Sequence, residues 1–160
     1  MKILGIDPGT GIVGFGVIES NGIKHKLVTA GVIRTPAHQD LELRLVTIYD
    51  SLQEIVAETK PDFVSIEKLF FAKNVTTAMS VSHARGVIML AMVQAGVPIS
   101  EYTPLQIKQA LTGYGRAEKS QIQEMVKILL GLKEIPKPDD CADALAAALT
   151  HATASLLYSK

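Results

Sequence analysis

At 160 residues, 48% hydrophobic and 20% charged, the chain has the length and composition of one ordinary domain. Such a domain buries roughly two-thirds of its unfolded surface without disulfides or structural metal. Its one cysteine, Cys141, excludes an internal disulfide, and no CxxC or Cys/His cluster offers a zinc cage.

The longest uninterrupted apolar run, Val87 to Val93, falls far below the roughly 18 residues of a membrane span, and Met1 to Asp7 leaves no room for the apolar stretch of a signal peptide. A soluble protein of the reducing cytoplasm is therefore expected. Sixteen bases balance sixteen acids, so net charge argues neither for nor against a nucleic-acid partner. The distribution is more informative. Residues 1–67 carry nine acids and six bases, 68–119 two acids and six bases, and 120–160 five acids and four bases, a basic block inside a neutral chain.

No repeat, low-complexity tract or linker interrupts the sequence, which reads as a single domain over residues 1–160. Met1–Asp7 predicts a short strand, and after the Pro8-Gly9-Thr10-Gly11 turn Ile12–Ser20 predicts a second, paired with the first as a hairpin. Asn21-Gly22 marks a tight turn into a third strand near Ile23–Ile33. From Asp40, a candidate cap, Leu41, Leu45, Ile48, Leu52 and Ile55 recur at helical spacing. Lys60-Pro61 ends that helix, and Phe63–Glu67 predicts a strand reached by a crossover, hence parallel to the first and beside it. A helix at about Val75–Ala95, a strand near Ile99–Tyr102, a helix starting at Thr103-Pro104, another at about Glu118–Leu130 and a last one from Pro138-Asp139 complete the order. The pattern predicts an α/β fold with a mixed sheet.

Asp7 ends an apolar strand, where a carboxylate is costly unless compensated; taken alone it reads equally as a turn residue capping Pro8-Gly9. Glu67 ends the fourth strand. If the two strands are parallel neighbours, both acids lie at the carboxyl ends of the sheet, where ligands of α/β proteins collect. Asp139, Asp140 and Asp143 open the last helix. Acids in a first turn favour the helix dipole, but Asp143 with either Asp140 or Asp139 also puts two carboxylates on one face. The rest of that helix, Ala144-Leu145-Ala146-Ala147-Ala148-Leu149, is small and apolar and suits close packing on a sheet, which would bring its acids toward Asp7 and Glu67. Converging carboxylates without a CxxC pair or an HExxH motif point to hard divalent cations, Mg²⁺ or Mn²⁺, and to phosphoryl displacement with one ion generating the hydroxide and another stabilising the leaving oxygen.

The basic block supplies a matching substrate. Lys68, Lys73, Arg85, Lys108, Arg116 and Lys119 are interleaved with Phe70, Phe71 and Tyr114, giving phosphate contacts and rings on which an unpaired base can stack. Any one of these lysines alone reads as merely solvated; two adjacent Phe rings, pointing opposite ways in extended chain, cannot both enter the core.

These segments, in this order, resemble the RuvC family of crossover (Holliday) junction endodeoxyribonucleases, within the RNase H-like superfamily. The matching residues are Ile6-Asp7-Pro8-Gly9 with Gly14-Phe15-Gly16, Ile66-Glu67 with Phe70 and Ala72-Lys73-Asn74, and His83-Ala84-Arg85-Gly86. Lys108-Gln109, Gly115 with Ala117-Glu118-Lys119-Ser120-Gln121, and Asp140 with Asp143-Ala144-Leu145-Ala146 complete the set. The resemblance implies an RNase H-like sheet of five strands, three antiparallel and then two parallel, flanked by helices. It implies two Mg²⁺ ions per site, for which Mn²⁺ substitutes, held by a catalytic tetrad at Asp7, Glu67, Asp140 and Asp143. It further implies base stacking by Phe70, DNA contacts by Lys108 and Lys119, and paired, symmetric nicking of four-way junction DNA by a homodimer, leaving 5′-phosphate and 3′-hydroxyl. The RuvA-RuvB branch-migration complex is the implied partner, with recombination and DNA repair as the process. Lys73, Arg85 and Arg116 join the expected DNA contacts from the basic block, and the helix around Ala78, Ala84, Gly86 and Ala91 is the expected dimer interface.

Two other classes fit parts of the sequence. Gly5-Ile6-Asp7-Pro8-Gly9-Thr10 also looks like the phosphate loop of the sugar-kinase/actin superfamily, but that architecture holds nucleotide between two domains. A junction-binding module without catalysis would use the basic block and leave the four carboxylates without a task. RNA-processing nucleases of the same fold are a nearer rival, separated by comparing junction DNA with structured RNA as substrate.

Overall fold

The computed structural model describes residues 1–68 and 75–158. Strands β1 (Lys2–Asp7), β2 (Ile12–Ser20), β3 (His25–Arg34), β4 (Phe63–Glu67) and β5 (Ile99–Tyr102) form one sheet in the order β3-β2-β1-β4-β5. The first three strands pair antiparallel, and β4 and β5 add in parallel beside β1. The helices are α1 (Leu41–Thr59), α2 (Val75–Gln94), α3 (Pro104–Thr112), α4 (Lys119–Leu129) and α5 (Asp139–Tyr158). This is the expected architecture.

Strand parity divides the apolar side chains between two cores. Leu4, Ile6, Val13, Val17, Val64 and Ile66 point toward α1 and α2, where they meet Ile48, Leu52, Ile88 and Met92. Ile3 and Ile18 point the other way, against Ile107, Ile122, Val126, Leu145 and Leu149 of α3, α4 and α5. Each such Ile or Leu taken fully out of water contributes about 1.5–3 kcal/mol, so both faces of the sheet are firmly covered.

The face toward α5 has a second property: its middle carries no bulk. A Cβ at Gly5 would stand 1.9 Å from the carbonyl oxygen of Ala144, at Gly14 2.1 Å from that of Asp140, and at Gly16 2.5 Å from the Leu145 side chain. Gly5 pairs with Gly16 and Asp7 with Gly14 across β1 and β2. The α5 backbone therefore lies directly on the strands, and the buried Ser65 hydroxyl of β4 donates to the Ala147 carbonyl at 2.7 Å.

Local boundaries depart from expectation in two places. β3 starts at His25 because the Asn21 side-chain oxygen accepts the N–H groups of Ile23 and Lys24, holding both in the turn. Asp40 occupies the cap position of α1 but makes no capping bond with its side chain. At α3 the expected start is realised fully: Pro104 is the first helical residue, the Thr103 hydroxyl accepts the Gln106 N–H, and the Gln106 side chain accepts the Thr103 N–H.

Candidate active site

Asp7 and Glu67 end neighbouring parallel strands whose register runs Ile3 beside Phe63 to Ile6 beside Ile66, so the two acids emerge together at the carboxyl edge of the sheet. The loop that follows Asp7 is pinned. The Thr35 hydroxyl donates to the Thr10 carbonyl at 2.6 Å, the Thr35 N–H donates to the Gly11 carbonyl, and the Arg44 Nε donates to the Thr35 hydroxyl at 2.9 Å. Gly14, paired with Asp7, lets the first turn of α5 descend onto the same edge, with Asp140 directly over it.

All four expected carboxylates converge there electrostatically. Burial pushes the Asp7 carboxyl up to about 7, and the charges of Asp143, Glu67 and Asp140 push it in the same direction, opposed by Lys119. Glu67 is raised by burial and by Asp143, against Lys119 and Lys108. Asp139 lies outside this set: its side chain is 52% exposed, against 26% for Asp143. Its carboxylate faces Lys119 at 3.5 Å. Cys141 is buried, and burial raises its thiol pKa, keeping it neutral beside the acids.

Beside the acids is a cleft of about 210 Å³ lined by Glu67, Pro104, Ile107, Lys108, Lys119, Ile122, Asp143 and Ala146. The Lys119 ammonium donates to Asp143 Oδ2 at 2.8 Å across its mouth. The donor set is wholly carboxylate oxygen, which fits a hard divalent cation and not zinc. Among the described residues no three acids, histidines or cysteines stand close enough to grip one ion as they are arranged. The carboxylates thus share the edge with a lysine ammonium held by Asp143.

The basic residues separate into three groups. Lys108 and Lys119 line the cleft from α3 and α4, with Arg116 exposed in the connection between these helices. Arg85 of α2 forms an ion pair with Glu101 of β5, both partly buried. Phe70, Phe71 and Lys73 lie outside the described residues. The expected interface around Ala78, Ala84, Gly86 and Ala91 needs correction, since Ala84 and Ala91 are fully buried in the domain's own core. The outward face of α2 carries Met79, His83, Gly86, Leu90 and Val93.

Sequence reasoning passed over three contacts. His151 of α5 is buried, packs on Phe63 with ring centroids 4.9 Å apart, and meets the Tyr102 hydroxyl through Nδ1 at 2.9 Å. Nothing in a lone histidine on an apolar helix announces that contact. The Arg85–Glu101 pair and the Arg44–Thr35 contact join residues from separate elements and likewise leave no mark in spacing.

Comparison with known proteins gives one consistent result. The sequence model of the family described as RuvC, crossover junction endodeoxyribonuclease, matches residues 3–151. The crossover junction endodeoxyribonuclease RuvC of Brevibacillus brevis is 59% identical over 152 residues, covering 95% of this chain and 92% of the relative. Thermus thermophilus RuvC in complex with Holliday junction substrate superposes with a TM-score of 0.95 at 38% identity, covering 99% of this chain and 97% of that one. The yeast mitochondrial Holliday junction resolvase Ydc2 shares the fold, with a TM-score of 0.66 at 14% identity over 98% of this chain and 80% of that one.

Proposed function

Because the chain belongs to the RuvC family of crossover junction endodeoxyribonucleases, hydrolases that resolve Holliday junctions in recombination and repair, we propose that Asp7, Glu67, Asp140 and Asp143 are its catalytic and metal-binding residues. The observation that carries this reading is the coupling at Asp7: a carboxyl lifted to about 7 by burial and by the charges of Asp143, Glu67 and Asp140 has surroundings that call for a compensating cation. Two Mg²⁺ or Mn²⁺ ions held by the four carboxylates balance four negative charges, and when bound they supply an activated water and stabilisation of the leaving oxygen. Asp7, central to the coupled set, would be a principal ligand for them.

The chain's own groups do the rest. Lys108 and Lys119 draw the phosphodiester backbone into the cleft, with Arg116 exposed alongside, and Phe70 and Lys73 complete the DNA contacts, Phe70 by stacking on an unpaired base. Arg85 serves this set indirectly, tying α2 to β5 through Glu101. Hydrolysis leaves 5′-phosphate and 3′-hydroxyl. A junction has near-twofold symmetry, and a homodimer with twofold symmetry offers it two sites for paired cuts. The outward stripe Met79, Leu90 and Val93, with exposures of 59%, 52% and 66%, supports a dimer seam along α2. The protein would act in the cytoplasm on junctions delivered by the RuvA-RuvB branch-migration complex.

Nicking of a synthetic four-way junction with and without Mg²⁺ tests this reading. Asp140→Asn should abolish the Mg²⁺-dependent cut with little change in melting temperature. Asp139→Asn should keep most activity, since Asp139 contributes nothing to the charge at Asp7 and faces Lys119 from outside. Activity lost at Asp139 and retained at Asp140 would overturn the assignment of the third ligand.

A further inference from the structure

Lys119 opens α4 with a side chain 56% exposed, yet its ammonium lies 2.8 Å from Asp143 Oδ2 and 3.5 Å from Asp139 Oδ2. Lys108, across the same cleft, forms no ion pair among the described residues and acts on Glu67 only through space. The two lysines therefore differ in state: one free, the other held by a carboxylate that the proposed chemistry needs for a cation. A divalent ion on Asp143 would lie within a few ångströms of the Lys119 ammonium, and the two positive charges would compete for that carboxylate.

We infer that Lys119 is the resident counterion of Asp143, which a divalent cation must displace, and that the displaced ammonium is thereby released for the DNA backbone. The inference rests on Asp143 being a metal ligand. Release is inexpensive: a partly exposed ion pair is weak, and a long lysine stem reorients freely. Metal loading and junction binding are then coupled with positive sign, since the same event completes the ligand set and frees a phosphate contact, and the coupling must act equally in both directions.

Calorimetric titration of the DNA-free protein with Mg²⁺ tests this without any reference to cleavage. Lys119→Met should bind Mg²⁺ about two- to fivefold more tightly than the wild type, the range set by the strength of an exposed ion pair. Lys119→Arg, which keeps the charge beside Asp143, should stay close to the wild type. Lys108→Met removes the same charge from the same cleft without freeing Asp143, and should gain less than Lys119→Met. Equal gains for the two Met variants, or no gain for Lys119→Met in a protein with an unaltered melting temperature, would overturn the inference while leaving the metal site intact. Failure of the folded wild type to bind Mg²⁺ at millimolar concentration would overturn the proposed metal ligands themselves, and the counterion role with them.

Discussion

Asp7 is the residue at which burial and neighbouring carboxylates act together against ionisation. Its carboxyl is raised from 3.8 to about 7 in the fold, so between those values the folded protein holds a proton that the unfolded chain has lost. Stability from this group is therefore fully present below about pH 4, falls as pH rises toward 7, and stays lost above it. In metal-free protein, Asp7→Asn should be more stable than the wild type at pH 8, by on the order of 1–3 kcal/mol, and the advantage should vanish near pH 4; thermal melts across that range in EDTA measure it, and Mg²⁺ should erase the difference at pH 8. A variant no more stable at pH 8 would mean that Asp7 is solvated and uncoupled. The two cleft lysines have their own signature: if each neutralises one phosphate, Lys108→Ala and Lys119→Ala should each reduce the magnitude of the salt slope of junction binding by about 0.9. Unchanged slopes would remove both from the interface. At this scale the sequence was only partly legible. Strand ends single out Asp7 and Glu67, and helix spacing singles out Asp143 with either Asp139 or Asp140, Asp140 being preferred only by the family resemblance; the hold of Asp143 and Asp139 on Lys119 depends on how α4 meets α5, which no local pattern encodes.

Elements were legible where their signals are local. β2, β4 and β5 run over the residues that alternation and bounding turns indicate, and α3 starts where a threonine followed by proline demands. The packing of α5 has a subtler origin, in glycines spaced two apart on one strand face. Gly5, Gly14 and Gly16 remove the side chains that would otherwise hold the helix off, and that closeness brings Asp140 over the sheet edge. The contrast between two of them gives a prediction. At Gly5 a new Cβ meets the Ala144 carbonyl of the helix backbone, while at Gly16 it meets Cγ and Cδ2 of the buried Leu145 side chain, which can shift more readily than a backbone carbonyl. Gly5→Ala should therefore lower stability by about 1–3 kcal/mol or more, and Gly16→Ala by less, as read from denaturant midpoints, with cleavage falling in the same order. Equal losses would mean that α5 does not bear on β1 as closely as its backbone contacts require.

For the whole molecule, the proposed paired cuts require two copies of the carboxylate edge. Helix α2 is apolar on both faces. Ala84, Ile88, Ala91 and Met92 enter the core beneath it, and Met79, Leu90 and Val93 face outward. The inward set needs no partner, because the sheet and α1 already cover it; the outward set at spacings of eleven and three residues forms a stripe that a second copy of the same helix would bury. Leu90 is half exposed in that stripe, one helical turn before Val93, so a charge there is tolerated by the isolated domain and not by a dry interface. Leu90→Glu should raise the dimer dissociation constant at least about tenfold, in keeping with loss of an interface anchor, and leave the monomer's melting temperature within a few degrees of the wild type at low concentration. Light scattering after gel filtration reads the first effect. The functional effect follows from symmetry. A dimer holding both sites on one junction cuts two strands in a single encounter, converting a supercoiled plasmid with an extruded cruciform directly to linear form, whereas separate monomers release a nicked circle first. Leu90→Glu should shift the initial product from linear to nicked circle while the rate of the first nick falls less than the rate of linearisation. A variant that stays dimeric, or a monomer that still linearises the plasmid in one step, would exclude α2 as the seam and require the second site to be recruited through another surface.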